Sequence, residues 1–160
     1  MPRIPVVVAD SPEQRALAIE VWRSANAARP RPAGELRAER VRHKIETAEL
    51  LLLAHYGTRP AGMLLAETYV EDGVPDPDVG HISMVFVDPA VWGSRVGTTL
   101  LRDLQGRQWS RLSVWTRTDN RRAQRLYLAT GFVDTGNRSK LQDGDEIMQL
   151  LWTRSADAGR

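Results

Sequence analysis

The segment Gly80–Gln108 constrains the fold most, because an apolar run stops abruptly in it and a helical pattern follows. Gly80–Val87 reads GHISMVFV and is apolar on both faces, which predicts a central strand covered above and below. Asp88–Pro89 ends this strand, and a helix is predicted over Ser94–Gln108. Its core-facing positions have helical spacing: Val96, Leu100, Leu101 and Leu104. A buried strand followed by such a helix predicts a sheet with helices packed on its faces.

The rest of the chain adds elements in an order that specifies the sheet. Further strands are predicted at Ile4–Ala9, Leu50–Tyr56, Ala61–Tyr69, Leu112–Thr116, Phe132–Asn137 and Glu146–Trp152. Further helices are predicted from Pro12 to about Ala28, over Glu35–Ala48 with Leu36 facing the core, and over Asn120–Thr130. Glu71–Asp78 is acidic, contains prolines and predicts a solvated loop. The order β-α-α-β-β-β-α-β-α-β-β predicts an α/β (α+β) fold, with helices on both faces of one mixed, mostly antiparallel sheet.

Composition excludes several classes of protein. The length of 160 residues suits one domain, which we predict over residues 1–153, followed by a flexible tail at 154–160. Cysteine is absent, which excludes disulfides, thiolate metal sites and a cysteine nucleophile, and we expect no metal site. No apolar stretch reaches the roughly 20 residues of a membrane span, so a cytoplasmic protein is the default expectation. The 22 basic and 20 acidic side chains are interleaved, which argues against nucleic-acid binding.

The turn between the central strand and its helix has the chemistry of an anion site. Val87–Leu101 reads VDPAVWGSRVGTTLL, in which Gly93 and Gly97 allow the backbone to approach a ligand closely. The first turn of a helix has unpaired N–H groups that attract phosphates, and Thr98 and Thr99 could add hydroxyl donors. The segment is neither a P-loop, which needs Gly-Lys-Ser/Thr, nor a Rossmann fingerprint, which needs a third glycine. A tight turn that binds nothing explains the same residues, so both interpretations stay open.

A second segment, Asn120–Phe132, predicts a short capped helix that carries a tyrosine. It reads NRRAQRLYLATGF, with Asn120 as the N-cap and Gly131 as the C-terminal glycine. Four residues share the inner face of this helix: Ala123, Leu126, Tyr127 and Thr130. Tyr127 is therefore either a core tyrosine or a functional group held on the apolar side.

Together these two segments resemble the signatures of the GNAT acetyltransferase superfamily. The second reads N-x-x-A-x-x-L-Y-x-x-x-G-F in the family and matches at every named position: Asn120, Ala123, Leu126, Tyr127, Gly131 and Phe132. The first reads roughly V-x-P-x-x-[R/Q]-G-x-G-x-[G/A] and matches at Val87, Pro89, Gly93 and Gly97. It departs from the family at Trp92, where Arg or Gln is usual, and at Arg95, where glycine is usual. The predicted order of elements extends the resemblance to about the whole chain.

The resemblance implies one GNAT domain that transfers an acetyl group from acetyl-CoA to an amine. The diphosphate would sit on the amides of Gly93–Thr98, and the pantetheine arm beside Met84–Val87, where this strand parts from Leu112–Thr116. Tyr127, at the family's tyrosine position, is the implied general acid. The implied cofactor-binding residues are Met84, Val85, Phe86, Val87, Trp92, Gly93, Ser94, Arg95, Val96, Gly97, Thr98, Asn120, Ala123 and Tyr127.

The general base stays open. His81 occupies a strand position where some family members place a glutamate, and a histidine that titrates near neutrality suits the role. An ordinary strand histidine is the alternative, and Glu67 and Asp119 are weaker candidates.

The acceptor is open as well. The resemblance implies a primary amine of a small molecule or peptide, selected by the first two helices and by the loops Ala28–Glu35 and Gly136–Asp145. It also implies a homodimer. The departures at Trp92 and Arg95 support an alternative function, a catalytically weak acyl-CoA-binding module of the same fold.

Overall fold

The computed structural model of the chain describes residues 2–155, with seven strands and four α-helices in the predicted order. The strands are β1 (Val6–Val8), β2 (Leu50–Tyr56), β3 (Arg59–Glu71), β4 (Val74–Val87), β5 (Arg111–Arg117), β6 (Val133–Lys140) and β7 (Glu146–Thr153). The helices are α1 (Pro12–Ala27), α2 (Glu35–Glu46), α3 (Val96–Gln105) and α4 (Arg121–Ala129), with a short 3-10 turn at Pro89–Val91. No helix within residues 2–155 has both the length and the apolarity to cross a membrane.

The seven strands form one mixed sheet in the order β1-β2-β3-β4-β5-β7-β6. The β4–β5 pair is parallel, whereas β1–β2, β2–β3, β5–β7 and β6–β7 are antiparallel. The predicted fold class is therefore confirmed. The chain divides into two compact units: the first holds the described residues up to Glu67 with Ser83–Asp103, and the second holds Thr68–Ile82 with the described residues from Leu104 onward. The prediction of a single domain over residues 1–153 stays a prediction.

In the first unit, α1 begins at Pro12, as predicted, and Ser11 and Gln14 cap its start. The Ser11 hydroxyl accepts the backbone N–H of Gln14 at 3.1 Å, and the Gln14 side-chain oxygen accepts the N–H of Ser11 at 3.3 Å. This reciprocal pair satisfies two of the donors that a helix start leaves unpaired, and Pro12 has no donor to satisfy.

Helices α1 and α2 pack on one face of the sheet and build the core of the first unit. Its members larger than alanine are Val21, Trp22, Val41, Ile45, Leu51, Leu53, Met63, Leu65 and Met84. Leu36 was expected in this core and is 71% exposed. The buried stripe of α2 consists of Ala38, Val41 and Ile45, and Leu36 lies off this stripe.

The acidic stretch Glu71–Asp78 is not the solvated loop that its composition predicts. Strand β3 continues to Glu71, Asp72 and Gly73 form a two-residue turn with φ of 52° and 78°, and β4 starts at once with Val74. An Asp-Gly pair with positive φ at both residues is a strong hairpin turn. Proline has no backbone N–H, and in a strand the N–H groups of residues two apart point toward the same edge. Pro75 and Pro77 therefore remove hydrogen-bond donors from one edge of β4 only, and the other edge can still pair.

In the second unit, β5 pairs with β7 along its whole length, from Arg111 opposite Thr153 to Arg117 opposite Ile147. Beyond Thr153, the Arg154 guanidinium donates to the carbonyls of Gln105, Arg107 and Trp109 at 3.0, 2.6 and 3.1 Å. The predicted flexible tail stays a prediction. Residues 156–160 of the predicted tail lie outside the described residues.

Candidate active site

The turn that follows β4 is held in place by Asp88. This residue is buried, its N–H donates to the carbonyl of Ala61 at 2.8 Å, and its Oδ1 accepts the N–H of Ala90 at 2.9 Å. Its Oδ2 lies 2.5 Å from Nη2 of Arg59 on β3. A buried carboxylate persists where it is paired and hydrogen-bonded, so Asp88 fixes the start of the turn against β3.

Two residues of the turn have left-handed backbone conformations. Gly93 has φ of 85°, which glycine adopts without cost, whereas Arg95 has φ of 70°, which strains a residue with a β-carbon. The carbonyl of Arg95 accepts both the N–H of Thr99 at 2.9 Å and its hydroxyl at 2.7 Å. The Thr99 hydroxyl thus bonds inside the helix, and the expectation that it serves a ligand stays a prediction.

The start of α3 presents a row of backbone amides without acceptors. Within residues 2–155, no oxygen accepts the N–H groups of Gly93, Arg95, Val96, Gly97 and Thr98. Ser94 differs, since its N–H donates to the carbonyl of Val91 at 3.1 Å. The Trp92 indole N–H donates to the carbonyl of Val87 at 3.0 Å, with the ring 45% exposed.

These features fit a bound diphosphate. Unpaired amides at the first turn of a ten-residue helix carry the positive end of its dipole, and phosphate oxygens are their natural acceptors. The exposed Arg95 adds a cation to the same turn. The anion-site interpretation of this segment is therefore the one that its geometry supports.

Helix α3 is seated on β3 by a close approach at Gly62. A β-carbon on Gly62 would lie 2.6 Å from Cγ1 of Val96 and 3.0 Å from Cδ1 of Leu100. Only glycine allows this spacing without displacement of the helix. Gly62 therefore helps to set the distance between β3 and the start of α3, where the unpaired amides lie.

Strand β4 leaves β5 before its own end. The parallel register runs from Val79 opposite Arg111 to Ile82 opposite Val114 and goes no further. The strand was expected to be covered on both faces, which is wrong for Val85–Val87, where all three residues are half-buried. Ser83 and Met84, which follow the end of this register, both line one groove.

This groove lies between α2 and β4 in the first unit. Its volume is about 550 Å³, within the range of small-molecule sites. Its lining residues are Leu36, Arg37, Glu39, Arg40, Val41, His43, Lys44, Ser83 and Met84. At its strand side, the Ser83 hydroxyl donates to Oε1 of Glu67 on β3 at 2.6 Å. A short hydrogen bond to a carboxylate is a strong one, so it orients both groups.

Tyr127 lies on the inner face of α4, as predicted. The helix begins after Asn120, whose side-chain oxygen accepts the N–H of Ala123 at 3.1 Å. The Tyr127 ring is buried, 5.3 Å from the Phe132 ring at 59°. Its hydroxyl makes no hydrogen bond to any residue in the described range. Burial raises the pKa of Tyr127, so the phenol keeps its proton at neutral pH.

His81 lies in the second unit, on the paired part of β4. His81 lies opposite Ser113 in the parallel β4–β5 ladder. Its half-buried ring lies 6.3 Å from the ring of Tyr69. Asp119 is exposed at the end of β5. No cluster of three or more His, Asp or Glu side chains in residues 2–155 could hold a metal.

The comparison with protein families decides what this architecture is. The sequence model of the acetyltransferase (GNAT) family matches residues 16–132. The chain belongs to the GNAT acetyltransferase family. The matched range contains the amide row, the groove and the helix of Tyr127.

Solved structures share the GNAT fold at low sequence identity. The ribosomal-protein-S18-alanine N-acetyltransferase from Escherichia coli is 17% identical with a TM-score of 0.71, covering 97% of this chain and 95% of its own. A GNAT-family acetyltransferase from Bacillus cereus is 15% identical with a TM-score of 0.74, covering 96% and 99%. The yncA protein from Salmonella typhimurium, described as a candidate acetyltransferase with its cofactor acetyl-CoA, is 17% identical with a TM-score of 0.67, covering 96% and 95%. No curated protein is significantly similar in sequence.

Within this GNAT fold, the predicted site residues fall in two sets. Met84–Val87 and Trp92–Thr98 lie in the first unit, whereas His81, Asn120, Ala123 and Tyr127 lie in the second. Reasoning from the sequence missed the groove, because α2 looked like an ordinary amphipathic helix. The sequence could have indicated it, since Arg37, Arg40 and Lys44 recur on one side of α2.

Proposed function

We propose that this protein transfers the acetyl group of acetyl-CoA to a primary amine of a small molecule or peptide. The observation that carries the proposal is the row of unpaired amides at the start of α3, which suits a diphosphate. Membership of the GNAT family and the acetyl-CoA found with yncA support the same donor.

In this proposal the first unit binds the donor. The unpaired amides within Gly93–Thr98, those of Gly93 and of residues 95–98, hold the diphosphate, with Arg95 as an added cation. The backbone of Met84–Val87, beyond the end of the β5 register, pairs with the amides of the pantetheine arm as an extra strand would. A backbone N–H in Met84–Phe86 polarises the thioester carbonyl, as donors in an oxyanion hole do. Bound acetyl-CoA supplies an activated acyl group.

Transfer proceeds by direct attack. The neutral amine nitrogen forms a bond to the acetyl carbon, the bond from that carbon to sulfur breaks, and the sulfur leaves with the electron pair. Tyr127 donates its phenolic proton to the thiolate, as its place at the family's tyrosine position implies. Asn120 and Ala123 hold the start of the Tyr127 helix, and Asn120 also contacts the pantetheine.

The base that removes the amine proton is His81 or Glu67. His81 is the choice from the family position, and Glu67 is oriented by Ser83 at the side of the groove. A base acts in its deprotonated form, so kcat/KM rises with pH through its pKa. We expect this rise of kcat/KM with pH to disappear in one of the two variants, His81→Gln or Glu67→Gln. The residue whose substitution removes the rise is the base.

Incubation with acetyl-CoA and a panel of amines, with free thiol followed over time, tests the proposal. We expect thiol release that depends on the amine and that falls about 10²–10⁴-fold in Tyr127→Phe. Tyr56→Phe, on β2, serves as the matched control and should keep full activity. Tight CoA binding without turnover on any amine would instead support the alternative, a binding module of the same fold. Failure to bind CoA would refute both.

A further inference from the structure

The groove between α2 and β4 has a charge that the transfer reaction does not require. Three cations, Arg37, Arg40 and Lys44, line it at positions i, i+3 and i+7 of one helix, and Glu39 is the acid among its lining residues. None of the three forms an ion pair with a residue in the described range. The helix side of the groove therefore presents uncompensated positive charge.

The opposite side of the groove has different chemistry. Ser83 lines it and donates to the Glu67 carboxylate, so the negative charge of Glu67 lies behind the Ser83 hydroxyl. Val41 and Met84, both buried, provide an apolar surface. A molecule in the groove thus meets cations at the helix and the Ser83 hydroxyl at the strand, with the Glu67 carboxylate behind that hydroxyl.

We infer that the acceptor amine also carries a carboxylate, and that it is an amino acid or a small analogue of one. Its carboxylate would pair with the Arg40 guanidinium, whose planar fork matches two carboxylate oxygens, with Arg37 and Lys44 adding attraction. Its amino group would then point toward Ser83 and Glu67. The inference rests on the proposed function and specifies its substrate class. A polyamine would be repelled by the three cations, and the volume suits a small molecule.

Matched pairs of acceptors test this inference. Initial rates are measured for L-glutamate, L-methionine and L-phenylalanine, each beside its α-carboxamide, which keeps the amine and removes the carboxylate charge. We expect kcat/KM for at least one acid to exceed that of its amide about tenfold at low salt. The ratio should shrink in 0.5 M NaCl, because the groove cations are exposed and screened.

Substitutions on α2 locate the effect. Arg40→Gln should raise KM for the preferred acid by up to about fivefold, the range for one exposed ion pair, and leave kcat unchanged. Arg42→Gln is the matched control, because Arg42 is exposed on the same helix and does not line the groove. Arg42→Gln should change nothing. Equal rates on acids and amides would overturn the inference and leave acetyl transfer standing.

Direct binding keeps the inference testable if no amine is acetylated. Saturation-transfer NMR with the same three amino acids is then recorded on the CoA-treated protein and on both variants. Binding of an amino acid that weakens in Arg40→Gln and persists in Arg42→Gln supports the inference although the proposed function has failed. Absence of binding by all three amino acids overturns the inference as well.

Discussion

The left-handed backbone of Arg95 gives the sharpest prediction for stability. Its φ of 70° costs a residue with a β-carbon about 1–2 kcal/mol relative to glycine. Glycine in turn loses roughly 0.4–1 kcal/mol more chain entropy on folding. We therefore expect Arg95→Gly to stabilise the fold by about 0.5–1 kcal/mol, or about 1–4 °C in Tm for a chain of this size.

Arg95→Ala is the matched comparison, because it removes the guanidinium and keeps the β-carbon. Arg95 is exposed, so neither substitution leaves a cavity. Urea denaturation of the wild-type protein and both variants, with m values checked for equality, isolates the backbone contribution. Arg95→Gly should be the most stable of the three, and Arg95→Ala should lie within about 0.5 kcal/mol of the wild type.

The same pair separates strain from charge in ligand binding. If the guanidinium supports the diphosphate, calorimetry should show that CoA binds up to about fivefold more weakly to both variants, the range for one exposed ion pair. An Arg95→Gly protein no more stable than Arg95→Ala would refute the argument from φ. Equal CoA affinity in all three proteins would refute a role for the charge.

Three further predictions concern the residues around the site. Gly62→Ala should destabilise the fold by about 1–3 kcal/mol, because its β-carbon would lie 2.6 Å from Val96 Cγ1; Gly34→Ala, with open space around it, is the control in urea denaturation. Asp88→Asn should cost about 1–3 kcal/mol by the same assay, since it leaves Arg59 without its charged partner and weakens the bond to Ala90, and a change below 0.5 kcal/mol would contradict the role given to this carboxylate. Burial raises the pKa of Tyr127, so the unfolded chain releases this proton first as pH passes about 10, and stability should fall above that pH by up to about 1.4 kcal/mol per unit; Tyr127→Phe should show a shallower fall, and identical slopes would contradict the assignment.

Most elements were predictable because their local signals agree with their packing. The bounds of β2, Leu50–Tyr56, match the prediction, since an apolar run there is closed by the turn at Gly57. The capping box at Ser11 placed the start of α1. In each case one short-range pattern leaves few alternatives.

The failures occurred where two local signals conflict. Prolines at 75 and 77 suggested a loop. The Asp72–Gly73 turn nevertheless starts a hairpin, and the prolines leave one edge of the strand able to pair. The two-faced apolar pattern of Gly80–Val87 suggested complete burial, but it could not show that the β5 register stops at Ile82. Where a paired strand ends depends on its neighbours, which are distant in sequence.

The position of Arg95 also bears on the choice between an enzyme and a binding module. The family usually has glycine at the position of Arg95. A side chain there would degrade the anion site if it changed the backbone conformation of the turn. The backbone of Arg95 instead has the positive φ that glycine adopts freely, and its own amide and the three that follow it stay unpaired within the described residues. An anion at a helix start is bound by backbone N–H groups, so the identity of the side chain matters less than the φ angle. The substitution thus costs stability and leaves the backbone geometry of the turn suited to a diphosphate. That geometry serves the enzyme and the binding module alike, so turnover on an amine is the measurement that separates them.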